Sequence, residues 1–423
     1  MKQFLLVWVG QLVSLVGSGL TTFALGVTTY QNTGSVTGYA LTILCGYLPG
    51  ILLAPLAGAL VDRWERRRTM LAANGALALN VAVLLVLISF DRLAVWHIYA
   101  SVAVNSAINT FHWSAYTASV ALLVPKQHHG RVNGLVQLAQ AAVQVLSPVT
   151  AALLIPLTGV RGVVLIDLLT FAASFAALTL VRFPDHRAEA ASGAAVLQEA
   201  WRGFTFVTGR PGLVRLMLTF AAANLLVGIV SVLATPLILR ISSQQALGMV
   251  MSIGGSGALA GGLVMSAWGG PRRRVDGVLG FLFLAGFAVM VAGLRASPPL
   301  FAVAAFAFFF TVPIVAGSAN AIWQVKVPIH LQGRVFALVR MALQISFPFA
   351  ALLAGPLADR VFEPLMAEGG ALAPLLGGLL GTGPGRGIGL LFMLMGLLTC
   401  SVGVAGYLSP RLRLVEEELP DAA

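Results

Sequence analysis

Three charged residues stand where the surrounding sequence is apolar, and each suggests chemistry. Asp167 lies inside the run 162–182. An acid at that depth either takes up and releases a proton or is held by a structural hydrogen bond. Arg340 lies inside the run 335–357. It closes on an acid, attracts an anionic substrate group, or snorkels its head to the near surface. Asp62 ends another apolar run and opens the cluster Asp62, Arg63, Trp64, Glu65, Arg66, Arg67 and Arg68.

Polar residues recur at helical spacing inside the runs: Gln137, Gln140 and Gln144; Asn105, Asn109, His112 and Tyr116; Asn320 and Gln324; Arg340 and Gln344. Each set shares one helix face. Gln11 and Ser14 lie in the first run and Asn224 in the seventh. In hydrocarbon such groups must face protein or water, so they either line a substrate cavity or tie helices together. Trp113, Trp323 and the Phe306, Phe308, Phe309, Phe310 cluster suit a bulky amphipathic ligand, or equally packing and lipid contact. His112 is isolated and reads as a hydrogen-bonding residue. Cys45 and Cys400 sit in apolar runs without metal or disulfide spacing. No G-x-x-x-x-G-K-[ST] segment is present, so ATP is not the expected drive. No cofactor and no metal are expected.

The elements that must position these residues follow from composition. The chain has 423 residues, 58% apolar and 10% charged, with mean hydropathy +0.91. Soluble domains average about 25% charged. A soluble fold could not cover this much apolar surface, so a water-soluble enzyme, a disordered chain and a secreted domain are excluded. A spanning helix takes about 20 residues. The apolar runs predict twelve: 4–30, 38–61, 69–90, 94–123, 132–157, 162–182, 213–239, 245–268, 275–294, 299–324, 335–357 and 387–408. The first is too long for a cleaved leader and is read as a retained span. The predicted organisation is a six-helix bundle over 1–183, a central loop over 184–212 with a short amphipathic helix around 195–207, a second bundle over 213–410 and a tail over 411–423. The stretch 359–386 is expected to carry a short surface helix.

Net charge is +11, but the basic residues sit in short clusters between spans. They label sidedness rather than form a nucleic-acid surface. Nineteen Lys and Arg fall on one side of the predicted topology and six on the other, which places both termini and the central loop in the cytoplasm. The two halves also repeat. Val124-Pro125, Gly130-Arg131-Val132 and Leu135-Val136 recur 203 positions later as Val327-Pro328, Gly333-Arg334-Val335 and Leu338-Val339. Gly58, Leu60 and Val61 recur as Gly261, Leu263 and Val264 at the same offset. The reading is an all-α integral membrane protein of two pseudo-symmetric six-helix bundles. Parallel repeats of this kind place substrate between the halves near the midplane. In span eight, Gly257 and Gly261 form G-x-x-x-G, a close-packing face.

The segment Gly58-Ala59-Leu60-Val61-Asp62-Arg63-Trp64-Glu65-Arg66-Arg67-Arg68 resembles the G-x-L-x-D-R-x-x-R-R loop between helices two and three of the major facilitator superfamily. Gly10-Gln11-Leu12-Val13-Ser14, Leu123-Val124-Pro125 before Arg131 and Asn133-Gly134, and Ile166-Asp167 before Thr170-Phe171 resemble its drug:proton antiporter branch of macrolide-efflux proteins and enterobactin exporters. There are departures. Glu65 replaces a second Gly, span four lacks an interior Arg, and the antiporter motif of span five is reduced to Ser147-Pro148 with Ala151 and Ala152. The resemblance implies a gating latch of Gly58, Asp62, Arg63, Arg66, Arg67, Arg334 and Arg340, in which the acid of helix two meets the N-terminus of helix eleven. Met265 stands at the equivalent of Asp62 in the second half. The expected function is export of a drug-, macrolide- or siderophore-like small molecule by alternating access with proton antiport, as a monomer in the plasma membrane lipid. The alternatives are an uptake or symport transporter, or a membrane-embedded sensor or enzyme.

Overall fold

The computed structural model describes residues 2–61, 64–124, 129–181, 201 and 204–418. They are helical almost throughout, with no strand among the described residues. This follows from the composition: in lipid a backbone must satisfy its own polar groups, and a helix does so within one segment.

The first compact unit, Met1–Ala190, contains α1 (Lys2–Thr33), α2 (Val36–Val61), α3 (Arg66–Ser89) and α4 (Val95–Leu123). A continuous helical assignment, His129–Leu180, follows. Its 52 residues would make a rod of about 78 Å, more than twice a bilayer core. Gly159 interrupts it with φ 66° and ψ 178°, a conformation closed to residues with a Cβ. We therefore treat 129–158 as α5 and 160–180 as α6.

Both pack on α1. Trp8 Nε1 donates to the Leu135 carbonyl (3.0 Å) and Ser147 Oγ to the Val16 carbonyl (3.2 Å), so α5 follows one side. Gln11 reaches Ser174 and Ser18 reaches Asp167 on α6. Along α1 the contacts ascend α5 and descend α6, so the chain doubles back at Gly159. Leu25, Leu77, Val81, Leu84, Ile98, Val102, Val164 and Phe171 form one buried cluster of this unit. Phe4, Val7, Val61, Met70, Tyr116, Val132 and Leu178 belong to another.

The second unit, Ala191–Ala423, contains α7 (Pro211–Ile241), α8 (Gln244–Trp268), α9 (Arg274–Leu294), α10 (Pro298–Lys326), α11 (Ile329–Pro356) and α12 (Arg386–Leu408). The predicted twelve helices are thus present. The 203-residue repeat is carried by whole elements: α10 starts and ends 203 positions after α4. Glycines set the closest approaches. A Cβ on Gly257 or Gly261 would collide with the Phe306 or Phe310 carbonyl, so α8 lies directly on the α10 backbone. A Cβ on Gly286 would lie 2.7 Å from the Gly396 carbonyl oxygen, which brings α9 against α12.

By length and hydropathy alone ten stretches qualify as spans. Residues 129–180 contribute only Leu146–Leu180, and α4 is absent because Asn105, Asn109 and His112 dilute it. The expected short surface helix in 359–386 takes a different form. The helix of α11 runs on through a wider π turn, Leu357–Phe362, into Glu363–Met366, and a separate helix covers Ala373–Leu380. Of the expected central helix around 195–207, residues 195–200 and 202–203 lie outside the described residues, while 204–208 are helical.

Candidate functional site

In the first unit several buried polar residues meet at the seam between α1 and α6. Gly10, Ser14, Gly17 and Thr21 on α1 recur every three to four residues, as do Asp167, Thr170, Ser174 and Ala177 on α6. Small residues let the two helices touch: a Cβ on Gly10 would lie 2.9 Å from that of Ala177, and one on Gly17 would lie 2.8 Å from Asp167 Oδ1.

At one level of this seam Ser174 Oγ accepts from Gln11 Nε2 (3.2 Å) and Asn74 Nδ2 (3.0 Å). All three are buried, so α1, α3 and α6 share one knot. Two turns away on α6, Asp167 is 1% exposed. Its Oδ1 accepts from Ser18 (3.3 Å) and Thr170 (3.4 Å), while its Oδ2 has no partner. Gln11 and Asp167 were recognisable as intramembrane polar groups. Ser174, Asn74, Ser18 and Thr21 were not singled out, and Thr170 only as part of a family motif, although the three-to-four spacing of Asp167, Thr170 and Ser174 was a usable signal.

The other polar residues of this unit fall as follows. Ser14 is buried in α1. On α4, Asn105, Asn109 and Trp113 are half-buried, and His112 and Tyr116 are buried. The rings of Trp113 and Tyr116 lie 5.6 Å apart, and His112 Nε2 has no partner. Gln137, Gln140 and Gln144 lie on α5, and Gln140 is half-buried.

The basic loop meets helix ends. Arg66 Nη1 donates to the Ala118 carbonyl (2.8 Å) near the end of α4, and Arg67 Nη2 to the Thr179 carbonyl (2.9 Å) at the end of α6. The Thr179 carbonyl lies in the last turn of its helix and has no intrahelical partner there, and both guanidinium groups offset a negative helix terminus. Glu65 pairs with Arg68 at 2.5 Å. Gly58 lies in the last turn of α2, where an added Cβ would meet nothing within 4 Å. Asp62 and Arg63 lie outside the described residues.

In the second unit, Asn224 is half-buried on α7 and donates to the Phe220 carbonyl (3.2 Å). Asn320 and Gln324 on α10, and Arg340 and Gln344 on α11, are exposed. Gln324 offers its backbone carbonyl to Gln332 Nε2 (2.9 Å), which links the end of α10 to the start of α11. Arg334 is half-buried in the first turns of α11. Arg340 lies eleven residues into α11, about 16 Å along its axis. A guanidinium at that depth on an uncovered face needs water or an anion beside it, since lipid would leave it unsolvated.

Two further clusters were not read from the sequence. Glu363 pairs with Arg240 at the end of α7 (2.9 Å) and accepts from the Gly385 and Ile388 backbone N–H groups, both at 3.1 Å. It thereby caps the start of α12. Beside it the buried Arg386 donates to the Leu380 carbonyl (2.7 Å). At the other end, residues 410–418 fold onto their own unit. Leu412 and Val415 are buried with Leu213, Val275 and Trp323. Glu416 caps the Val275 N–H (2.9 Å), its carbonyl accepts from Lys326 Nζ (2.6 Å), and Glu417 pairs with Arg273 (2.5 Å). The acidic run 416–418 facing Arg272–Arg274 was the available signal.

The chain as a whole has close counterparts. The family description "Major Facilitator Superfamily" matches residues 7–351. Macrolide efflux protein A of Streptococcus pyogenes is 26% identical over 372 residues, which cover 85% of this chain and 90% of that protein. The multidrug efflux pump Tap of Mycolicibacterium fortuitum is 27% identical over 371 residues, covering 84% and 89%. A bacterial homolog of the human lysosomal transporter Spinster, solved inward-facing and unoccupied, superposes with TM-score 0.71 over 99% of this chain and 97% of that one, at 12% identity. At that identity the likeness speaks for the fold. Twelve apolar helices in two repeated sets, the basic loop after α2 and a family match spanning most of the chain lead to one assignment: this multi-pass membrane protein belongs to the Major Facilitator Superfamily of transporters.

Proposed function

We propose that this protein exports bulky amphipathic small molecules across the cell membrane by alternating access, driven by proton entry. The observation that carries this reading is its similarity to macrolide efflux protein A and to Tap along most of both chains. The chemistry of the spans supports it. Half-buried Asn105, Asn109 and Trp113 in the first unit, and exposed Asn320, Gln324 and Gln344 in the second, supply weakly polar and aromatic surface. A bulky ligand with few polar groups is bound by such walls. Gly58, Asp62, Arg63, Arg66, Arg67, Arg334 and Arg340 belong to the gate in this reading. The excess of basic residues in the loops after α2, α8 and α12 supports cytoplasmic termini. Lipid and the exported molecule are the partners, and the working unit is a monomer.

The test is accumulation of erythromycin and of ethidium in a host deprived of its own efflux pumps, with and without a pH gradient. Lower accumulation than in empty-vector cells, lost when a protonophore collapses the gradient, is the expected result. Accumulation equal to the control for every compound of a broad panel, or higher than the control, refutes export.

A further inference from the structure

The surroundings of Asp167 are incomplete in a specific way. It is 1% exposed, inside α6, with Gly17 of α1 directly opposite. Both hydrogen bonds to its side chain are long and both reach the same oxygen, Oδ1. The Thr170 hydroxyl has only one proton, and its shorter contact is to the backbone carbonyl of Asp167 (2.7 Å). Oδ2 has no partner. The Thr21 hydroxyl, 5% exposed and one turn beyond Ser18 on the same face of α1, is a third hydroxyl in reach of the carboxyl, although it makes no hydrogen bond of good geometry there.

Counter-charge is missing as well. Between Gln3 and Thr33, α1 has no charged residue. On α3 the only charges are Arg66, Arg67 and Arg68 in its first turn, two of them bonded to the ends of α4 and α6. On α5 the only ones are His129 and Arg131 at its start, and on α6 the exposed Arg161, six residues before Asp167. His97 and His112 are on α4, where His97 Nδ1 accepts from its own helix start. Among the described residues none forms an ion pair with Asp167.

We propose that Asp167, enclosed by Ser18, Thr21 and Thr170, is the proton-binding site that couples export to the proton gradient. The coupling role rests on the export reading above; the proton site itself does not. An ionised carboxylate here would have three hydroxyls in reach, two of them at long distance, and no cation, in a medium that penalises charge by several kcal/mol. The Thr21 hydroxyl can serve either state, donating to the ionised carboxylate or accepting Oδ2–H from the neutral acid. What favours the neutral acid is its burial without a cation. The step is one proton taken from water onto Oδ2 and later returned to water. Loss of that proton puts a buried charge against Gly17, which only water entry or separation of α1 from α6 relieves. Proton occupancy thus decides whether this seam stays shut.

The experiment is infrared difference spectroscopy of the full-length protein in lipid, titrated from mildly acidic to mildly alkaline pH. The wild type is expected to show a protonated-carboxyl C=O band that disappears with rising pH. Asp167→Asn should lack the band, and Thr21→Val should shift its frequency, because it removes a hydroxyl in reach of the carboxyl while leaving the acid. No such band in the wild type, or a band that survives in Asp167→Asn, overturns the site. Thr21→Val keeps the test decisive if Asp167→Asn does not fold. In vesicles, Asp167→Asn should still exchange ethidium down its gradient but lose pH-driven export; intact pH-driven export in that variant overturns coupling. A wild type that shows the titrating band but exports nothing refutes the export reading and leaves the proton site standing.

Discussion

Replacing Ser174 by alanine removes one oxygen and leaves two donors behind. The hydroxyl accepts from Gln11 on α1 and Asn74 on α3, and all three residues are buried. Interhelical hydrogen bonds in membranes contribute about 0.6 kcal/mol on average and up to about 1.7 kcal/mol. Two of them put the cost of Ser174→Ala at about 1.2 kcal/mol, with an upper bound near 3.4 kcal/mol. The lower figure is roughly an eightfold change in the folded-to-unfolded ratio. The assay is unfolding of the purified protein by rising SDS in mixed micelles, followed by circular dichroism. The cost comes from orphaned amides rather than lost packing, so adding Gln11→Met and Asn74→Leu to Ser174→Ala should recover part of it. A single mutant within about 0.3 kcal/mol of wild type, or a triple mutant worse than the single, refutes the idea that this knot holds three helices together.

Two other expectations are as direct. Gly257→Val drives a side chain into the Phe306 carbonyl and should abolish the folded peak in fluorescence size-exclusion, whereas Gly262→Val, with nothing within 4 Å of its Cβ, should run like wild type. Glu363→Gln keeps one acceptor oxygen for two backbone donors and loses the ion pair with Arg240. A loss of about 1–3 kcal/mol should appear as faster hydrogen exchange at the start of α12.

The helices, their number and the repeat were legible because each rests on local pattern. Apolar runs about 20 residues long have one way to satisfy their backbone in lipid, so the boundaries of α4 and α10 follow from the residues within them. The break between α5 and α6 was legible too, because Gly159 sits where one span must end and the next begin. Glu363 was not, because a single acid in a Gly- and Pro-rich stretch does not reveal that it will cap a helix starting 23 residues later.

The sequence by itself determined that this is a membrane protein of two repeated helix sets, which side its basic loops favour, and which few intramembrane polar groups need an explanation. Only the tertiary structure decided what those groups meet. Gln11 and Ser174 are 163 positions apart, and Ser18 and Asp167 are 149 apart. No periodicity within one helix specifies a partner at that distance. The choice is made by helix packing, where Gly10 and Gly17 admit α6 closely enough for hydroxyls and amides to reach across. The same packing buries Asp167 against Gly17 with hydroxyls and no cation around it, a setting that no pattern within α6 reveals.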